Sequence, residues 1–156
     1  EGGEASQGGS FIAMGGIAFR LALDGWPRIP GVRWVVPSAW QARHPDAVEM
    51  ESLPMDFTDV LASCDALLTK PGYGSFAEAA CNGVPVLYLD RKDWPEAPYL
   101  VEWLKRRGRC MEVERAALEQ GAIAAQLEAL WALPPAAPVG AEGIAQAADL
   151  LWGLLR

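Results

Sequence analysis

The stretch DVLASCDALLTKPGYGSFAEAACNGVPVLYLDR, residues 59–91, decides the fold of this 156-residue chain. It holds two short apolar runs, ALLT at 66–69 and VPVLYL at 84–89, on either side of a segment with helical composition at 75–82. Strands that are buried on both faces of a parallel sheet have continuous apolar runs of this kind. The stretch therefore predicts a β-α-β unit with two parallel strands.

The same alternation continues in both directions along the chain. Upstream, the pattern predicts strands at 11–14, 32–36 and 48–52 and a helix that Asp56 caps. Downstream, it predicts a helix from Pro95 or Pro98 to residue 107 and a strand at 110–113. Helical segments follow at 115–133, with a possible break at Gly121. A terminal helix is predicted at 141–155, and its Ala/Leu stripe is expected to pack on the domain. The predicted fold class is α/β, with a doubly wound, mostly parallel, Rossmann-like sheet of about six strands.

The composition of the chain ends suggests how the domain is delimited. Residues 1–10, EGGEASQGGS, are typical of a flexible tail or linker, and residues 11–156 form one α/β domain of ordinary size. The first residue is Glu1 rather than Met. We expect a piece of a two-domain protein.

Charge and composition exclude several classes of function. Thirteen Lys and Arg stand against twenty Asp and Glu, for a net charge of −7, which argues against nucleic acid and against an anionic membrane as partners. No apolar run approaches the ~20 residues of a membrane span, and no signal peptide is visible, so we expect a cytoplasmic protein. Three widely spaced cysteines and one histidine, His44, predict reduced thiols, no metal site and no Ser-His-Asp triad. We expect His44 to lie in an exposed loop.

A glycine-containing turn, Lys70-Pro71-Gly72-Tyr73-Gly74-Ser75, follows the strand at 66–69. Ligands of such sheets bind outside the carboxyl ends of the strands, and a helix that begins at Ser75 would offer its free N–H groups to a diphosphate. Glu78 has two interpretations. It either forms a capping box with Ser75 or accepts the two hydroxyls of a ribose, and the spacing alone favours neither.

A free-standing dinucleotide enzyme is disfavoured. No GxGxxG follows the first strand, and Val35, Val36 and Pro37 stand where an acidic residue would end the second.

Residues 59–91 resemble the C-terminal domain of GT-B glycosyltransferases, most closely the glycosyltransferase family 28 type. The shared pattern is a D-x-x-apolar-apolar strand at 65–69, a Gly-rich turn at 72–75, a Ser-x-x-Glu helix and an a-x-G-x-P turn at 80–85. Together with Arg91 and the segment PEAPYL at 95–100, the stretch is also similar to the glycosyltransferase-like N-terminal part of plant arabinokinases.

The resemblance implies a set of binding residues. Gly15 and Gly16 would form a phosphate-side loop. Gly72, Gly74 and Ser75 would form the diphosphate-binding helix start. Glu78 would hold the ribose hydroxyls, and Glu96 would face the donor sugar. Met55 and Phe57 would lie beside the base.

The function implied is donor binding in a glycosyltransferase that transfers a sugar from a nucleoside diphosphate, most simply UDP, to a hydroxyl acceptor. No cofactor or metal would be needed, since the helix dipole meets the diphosphate charge. The acceptor site and the catalytic base would belong to an N-terminal domain of the same protein. The domain alone would bind and not catalyse, and we assign no catalytic residue.

Two departures from the family pattern favour an alternative. The first turn is Gly-Gly-Ile and lacks a hydroxyl, and Glu96-Ala97 replaces the usual Gln or Asp-Gln pair. The alternative is a non-catalytic GT-B-like domain that senses a nucleotide or serves another enzyme.

A few further residues stay open at this stage. Asp90 and Arg91 form either a surface ion pair or part of the ligand edge. The loop residues Trp26, Trp40 and Trp94 include candidates for lining a cleft.

Overall fold

A computed structural model describes the backbone of residues 9–12 and the whole of residues 20–155. Six parallel strands form one sheet: β1 (Gly9–Ile12), β2 (Arg33–Val36), β3 (Ala47–Glu49), β4 (Ala66–Thr69), β5 (Val86–Tyr88) and β6 (Cys110–Glu112). Their order is β3-β2-β1-β4-β5-β6. This is the doubly wound arrangement with a reversal of direction between β1 and β4, and it confirms the predicted fold class.

Helices pack on both faces of this sheet: α1 (Phe57–Ala62), α2 (Tyr73–Cys81), α3 (Ala97–Arg107), α4 (Arg115–Glu119) and α5 (Ala124–Trp131). A further helix, α6 (Gly143–Leu154), follows them near the end of the chain. Alternate residues of each strand point to opposite faces, so Leu67 packs with α1 and α2 while Leu68 packs with α5. All four residues of β4 are buried. The continuous apolar run that predicted this strand therefore reflects burial on both faces.

β4 has its predicted bounds, and β2, β5 and β6 are shorter than predicted by one to three residues. The first and third strands also shift. The first begins at Gly9 instead of residue 11, so Gly9 and Ser10, placed in the tail by composition, belong to β1. The third ends at Glu49, and Met50–Ser52 is a turn of 3₁₀ helix rather than strand. The Ser52 hydroxyl donates to the Glu49 carbonyl at 2.6 Å, a local side-chain bond that stabilises the turn in place of a sheet hydrogen bond.

The prediction that His44 is exposed was wrong. The side chain is 5% exposed, and its Nδ1 accepts a hydrogen bond from the Asp46 N–H at 3.1 Å. Trp26 and Trp40 are also buried and belong to the core rather than to a cleft. The loops that carry them fold back over β2, where the Trp26 and Trp34 rings meet edge to face at 5.2 Å.

The terminal helix was predicted to pack its Ala/Leu stripe, and this prediction was also wrong. No residue of α6 is buried, and its large apolar side chains are exposed by 60% or more: Ile144, Leu150, Leu151, Trp152 and Leu154. Periodicity indicates an apolar face but not the surface that the face meets. Within residues 20–155 no element covers this helix.

Candidate functional site

The loops after β4 and β5 lie side by side at the edge where the strands end, which we call the carboxyl edge. Thr69 pairs with Tyr88 at the ends of these strands, and the Leu89 N–H donates to the Thr69 carbonyl at 2.9 Å. Since the strand order reverses between β1 and β4, the loop after β4 borders the position where doubly wound folds bind ligands. Gly15 and Gly16, assigned to the loop after β1, lie outside the described residues.

Helix α2 begins at Tyr73, two residues earlier than predicted. Gly72 is its N-cap residue, and the first amide bonded within the helix is that of Phe76, which donates to the Gly72 carbonyl at 3.1 Å. The amides of Tyr73, Gly74 and Ser75 come before it and have no acceptor within the helix. The start of α2 thus combines three N–H groups with the positive end of the helix dipole.

Neither glycine at this helix start is required by its backbone conformation or by the described residues around it. Among the described residues, a Cβ on Gly74 would meet no atom within 4 Å, and a Cβ on Gly72 would meet only the Lys70 carbonyl oxygen at 3.9 Å. Neither residue has a positive φ. Glycine also costs about 0.5–1 kcal/mol relative to Ala inside a helix. The absence of a side chain therefore leaves the space beside the start of α2 open among the described residues.

Glu78 does not form the capping box that its spacing allowed. Ser75 is the third residue of α2 rather than its cap, and no side-chain cap bond is made at this end. Glu78 lies one turn after Gly74 on the same face, and helical side chains lean toward the N-terminus, so its carboxylate lies on the side of the free amides. Among the residues the structure describes, no hydrogen bond to this half-buried carboxylate is found.

The second helix start at this edge is joined to the first. The Tyr73 hydroxyl donates a hydrogen bond to the carboxylate of Glu96, the N-cap residue of α3. That bond, rather than burial, is the main cause that raises the pKa of Tyr73 above its ordinary value. The Tyr73 ring meets Trp94 edge to face at 5.7 Å, and the Arg91 guanidinium lies 4.7 Å from the centre of the Trp94 ring. We call these four residues the Tyr73 cluster.

Two cations stand at the same edge. Asp90 accepts a hydrogen bond from the Arg91 backbone N–H at 2.8 Å, but no ion pair joins the two side chains in the described part of the chain. The pKa of Lys70 lies below its ordinary value, first because burial removes the amine from water and second because Arg91 repels it, although Asp93 acts in the opposite direction. Lys70 and Arg91 thus lie close enough to repel each other, beside the carboxylates of Asp90, Asp93 and Glu96.

The two residues predicted beside the base differ in exposure. Met55 is 45% exposed and precedes α1, whose start also lies at the carboxyl edge because α1 leads from β3 into β4. Phe57, the first residue of α1, is half-buried and packs against the core between α1 and the sheet. Of the two, Met55 alone offers much of its side chain to a ligand.

Sequence reasoning missed the role of Tyr73 in this arrangement. The one available sequence signal is an aromatic residue between two glycines, and in the structure Tyr73 is 61% exposed with its ring against Trp94. Trp94 was one of three loop tryptophans considered for a cleft, and it alone lies at the edge.

Two solved glycosyltransferases contain a domain of the same fold. The glycotransferase of kitacinnamycin matches 86% of this chain and 40% of its own with a TM-score of 0.55 at 20% identity. The glycosyltransferase SnogD from Streptomyces nogalater matches 95% of this chain and 44% of its own with a TM-score of 0.50 at 18% identity. At these identities the likeness shows the fold alone. The fold is thus that of a doubly wound α/β domain like the one these two glycosyltransferases contain.

Two curated plant proteins match the sequence. L-arabinokinase of Arabidopsis thaliana is 30% identical over 125 residues, 74% of this chain and 12% of that protein. The probable chloroplastic monogalactosyldiacylglycerol synthase of Nicotiana tabacum is 26% identical over 78 residues, 48% of this chain and 13% of that protein. No protein-family model matches the chain. Together with the solved structures, these matches identify a GT-B glycosyltransferase-like domain.

The chain spans less than half of each solved relative and about an eighth of each curated one. Among the residues that the structure describes, no helix has the length and apolar character that a membrane crossing needs.

Proposed function

We propose that this domain binds a nucleoside-diphosphate sugar of the UDP type at the carboxyl edge and serves as the donor-binding part of a glycosyltransferase. The observation that carries the proposal is Gly74, a glycine at a helix start for which the described residues give no steric or conformational reason. Its absent side chain lets a diphosphate approach the free amides of α2.

The chemistry of such a site is electrostatic. As a sugar leaves its donor, negative charge grows on the diphosphate, and fixed N–H groups at a helix start stabilise that charge without rearrangement. Glu78, one turn later, would hold the ribose hydroxyls and orient the nucleotide. The site for the acceptor and the base that deprotonates its hydroxyl would belong to an N-terminal domain of the full-length protein.

A second candidate is a nucleotide-binding domain that serves another enzyme. The match to L-arabinokinase, which covers more of this chain than the match to the galactolipid synthase does, favours it. The two candidates differ in what they recognise. A donor-binding domain gains affinity from the sugar, whereas a nucleotide sensor binds UDP and UDP-sugars equally.

Isothermal titration of the chain with UDP, GDP, ADP, UDP-glucose, UDP-galactose and UDP-N-acetylglucosamine tests the proposal. We expect one sugar nucleotide to bind with a Kd below about 1 mM, in the range of enzyme substrates. Gly74→Ala should weaken binding at least about tenfold, or about 1.4 kcal/mol, because its methyl group covers the amides. The melting temperature should stay the same or rise, since the substitution removes a helical glycine.

The matched control is Gly143→Ala, the same change at the start of α6, where a Cβ also meets nothing within 4 Å. It should leave nucleotide affinity unchanged. Failure of all six ligands to bind at millimolar concentration would overturn the proposal.

A further inference from the structure

The Tyr73–Glu96 hydrogen bond connects two helix starts that do not depend on it for capping. Tyr73 is the first residue of α2, Glu96 is the N-cap residue of α3, and the structure shows no side-chain cap bond at either helix end. Both side chains are exposed, and a hydrogen bond in water contributes little to stability because the solvent competes for both groups. The bond therefore sets a geometry more than it stabilises the fold.

The Tyr73 ring is the link between the acidic and the basic members of the cluster. Its hydroxyl holds Glu96, and its ring edge packs on Trp94. Trp94 in turn carries the Arg91 guanidinium on its face. Tyr73 thus restrains the Glu96 carboxylate directly and the Arg91 guanidinium through Trp94.

These two groups match two different parts of one ligand. A carboxylate is the usual acceptor for a pair of sugar hydroxyls, and a planar guanidinium suits phosphate oxygens. Arg91 keeps its charge available, since no ion pair to it is found among the described residues. Lys70 adds a second positive charge near it.

We propose that Tyr73 is a positioning residue of the donor site, which holds Glu96 toward the sugar and, through Trp94, Arg91 toward the diphosphate. This inference rests on the proposed function, because it assumes that a nucleotide sugar binds at the carboxyl edge. The Tyr73 hydroxyl then makes the domain bind a sugar nucleotide more tightly than the nucleotide without its sugar. The Tyr73 ring, by contrast, serves the affinity for both.

The test compares Tyr73→Phe with Tyr73→Ala in titrations with UDP and with whichever UDP-sugar the unchanged domain binds best. Tyr73→Phe keeps the ring and loses the hydroxyl, so UDP affinity should stay within about twofold while the preference for the UDP-sugar falls about fivefold or more. Tyr73→Ala should weaken both ligands, because Trp94 and Arg91 lose their support. Melting temperatures should change little in either variant, which separates positioning from a structural role.

Tyr99→Phe is the matched control, since Tyr99 lies on α3 and is 79% exposed. It should leave the preference unchanged. Glu96→Gln should reproduce the loss of preference, and the double variant Tyr73→Phe/Glu96→Gln should add little more, because both changes act on one interaction.

The proposal fails if Tyr73→Phe weakens UDP and the UDP-sugar equally, or if it behaves like Tyr99→Phe. In either case the unchanged domain still binds its nucleotide, and the donor-binding function stands. If the unchanged domain binds none of the ligands, the function and the inference fail together.

Discussion

Gly74 and Glu78 lie one turn apart on the same face of α2, so a residue without a side chain is the neighbour of a carboxylate that has no hydrogen bond within residues 20–155. A carboxylate in a capping box accepts a hydrogen bond from the backbone of its own helix and is then less available to a ligand. Glu78 is not, because the cap of α2 is Gly72 and not Ser75. The carboxylate is therefore available to a ligand that also meets the helix amides.

Glu78→Gln should lower the affinity for UDP about tenfold, since a hydrogen bond to a charged group contributes about 1.5 kcal/mol. Thermal stability should not change, because the carboxylate has no hydrogen bond to lose in the described part of the chain. Titration with UDP and with 2′-deoxyuridine diphosphate measures the effect, which should be much smaller for the deoxy ligand. If the affinity for UDP stays the same, Glu78 does not bind the ribose.

Gly121 illustrates a glycine that the fold does require. Its φ is +66°, and a Cβ would overlap the Trp26 indole, with Cδ2 only 2.7 Å away. Gly121→Ala should destabilise the domain by about 3 kcal/mol or more, because it combines backbone strain with overpacking. Urea unfolding measures the loss. Gly25→Ala, where a Cβ meets nothing within 4 Å, is the control and should change stability by less than about 0.5 kcal/mol.

The exposed terminal helix predicts a contrast between two leucines. Leu127 on α5 is 1% exposed and Leu151 on α6 is 60% exposed. Leu127→Ala should cost about 2–5 kcal/mol of unfolding free energy through lost packing and a cavity, whereas Leu151→Ala should cost less than about 0.5 kcal/mol. Chemical denaturation of both variants checks this. A large loss at Leu151 would mean that α6 packs on the domain after all.

The Cys64 thiol should be unreactive in the folded protein. Burial, with a smaller effect from the Asp65 charge, raises its pKa to about 12. At pH 8 about one thiol in ten thousand would then be the reactive thiolate. In a variant with Cys81→Ser and Cys110→Ser, labelling by a disulfide reagent should be slow when the protein is folded and fast in urea. Labelling at the rate of free cysteine in the folded state would contradict this.

The same shift has a consequence for stability. The unfolded thiol ionises near pH 8.5, while the folded one keeps its proton to about pH 12. Only the unfolded chain therefore loses this proton between these values, so stability should fall as the pH rises through that window. Cys64→Ser should reduce the slope of unfolding free energy against pH above 8.5.

Prediction from sequence succeeded where local pattern and environment coincide. Strand β4 was predicted at its observed bounds because all four of its residues are buried, and Gly121 was predicted as a break because its backbone conformation favours glycine. The start of α2 was misplaced by two residues. Serine is a common N-cap residue, and Ser75 was therefore predicted to begin the helix. In the structure Gly72, with an extended backbone, is the N-cap residue instead.

Apolar runs and chain order are properties of the linear sequence, and they alone determined the class of fold and the edge at which a ligand would bind. The meeting of Tyr73 with Glu96, 23 residues apart, was decided only by the tertiary structure. That contact depends on the register of β4 against β5 and on the path of both loops, which no local pattern encodes. The exposure of α6 was decided in the same way, because a helix face is buried only if another surface reaches it.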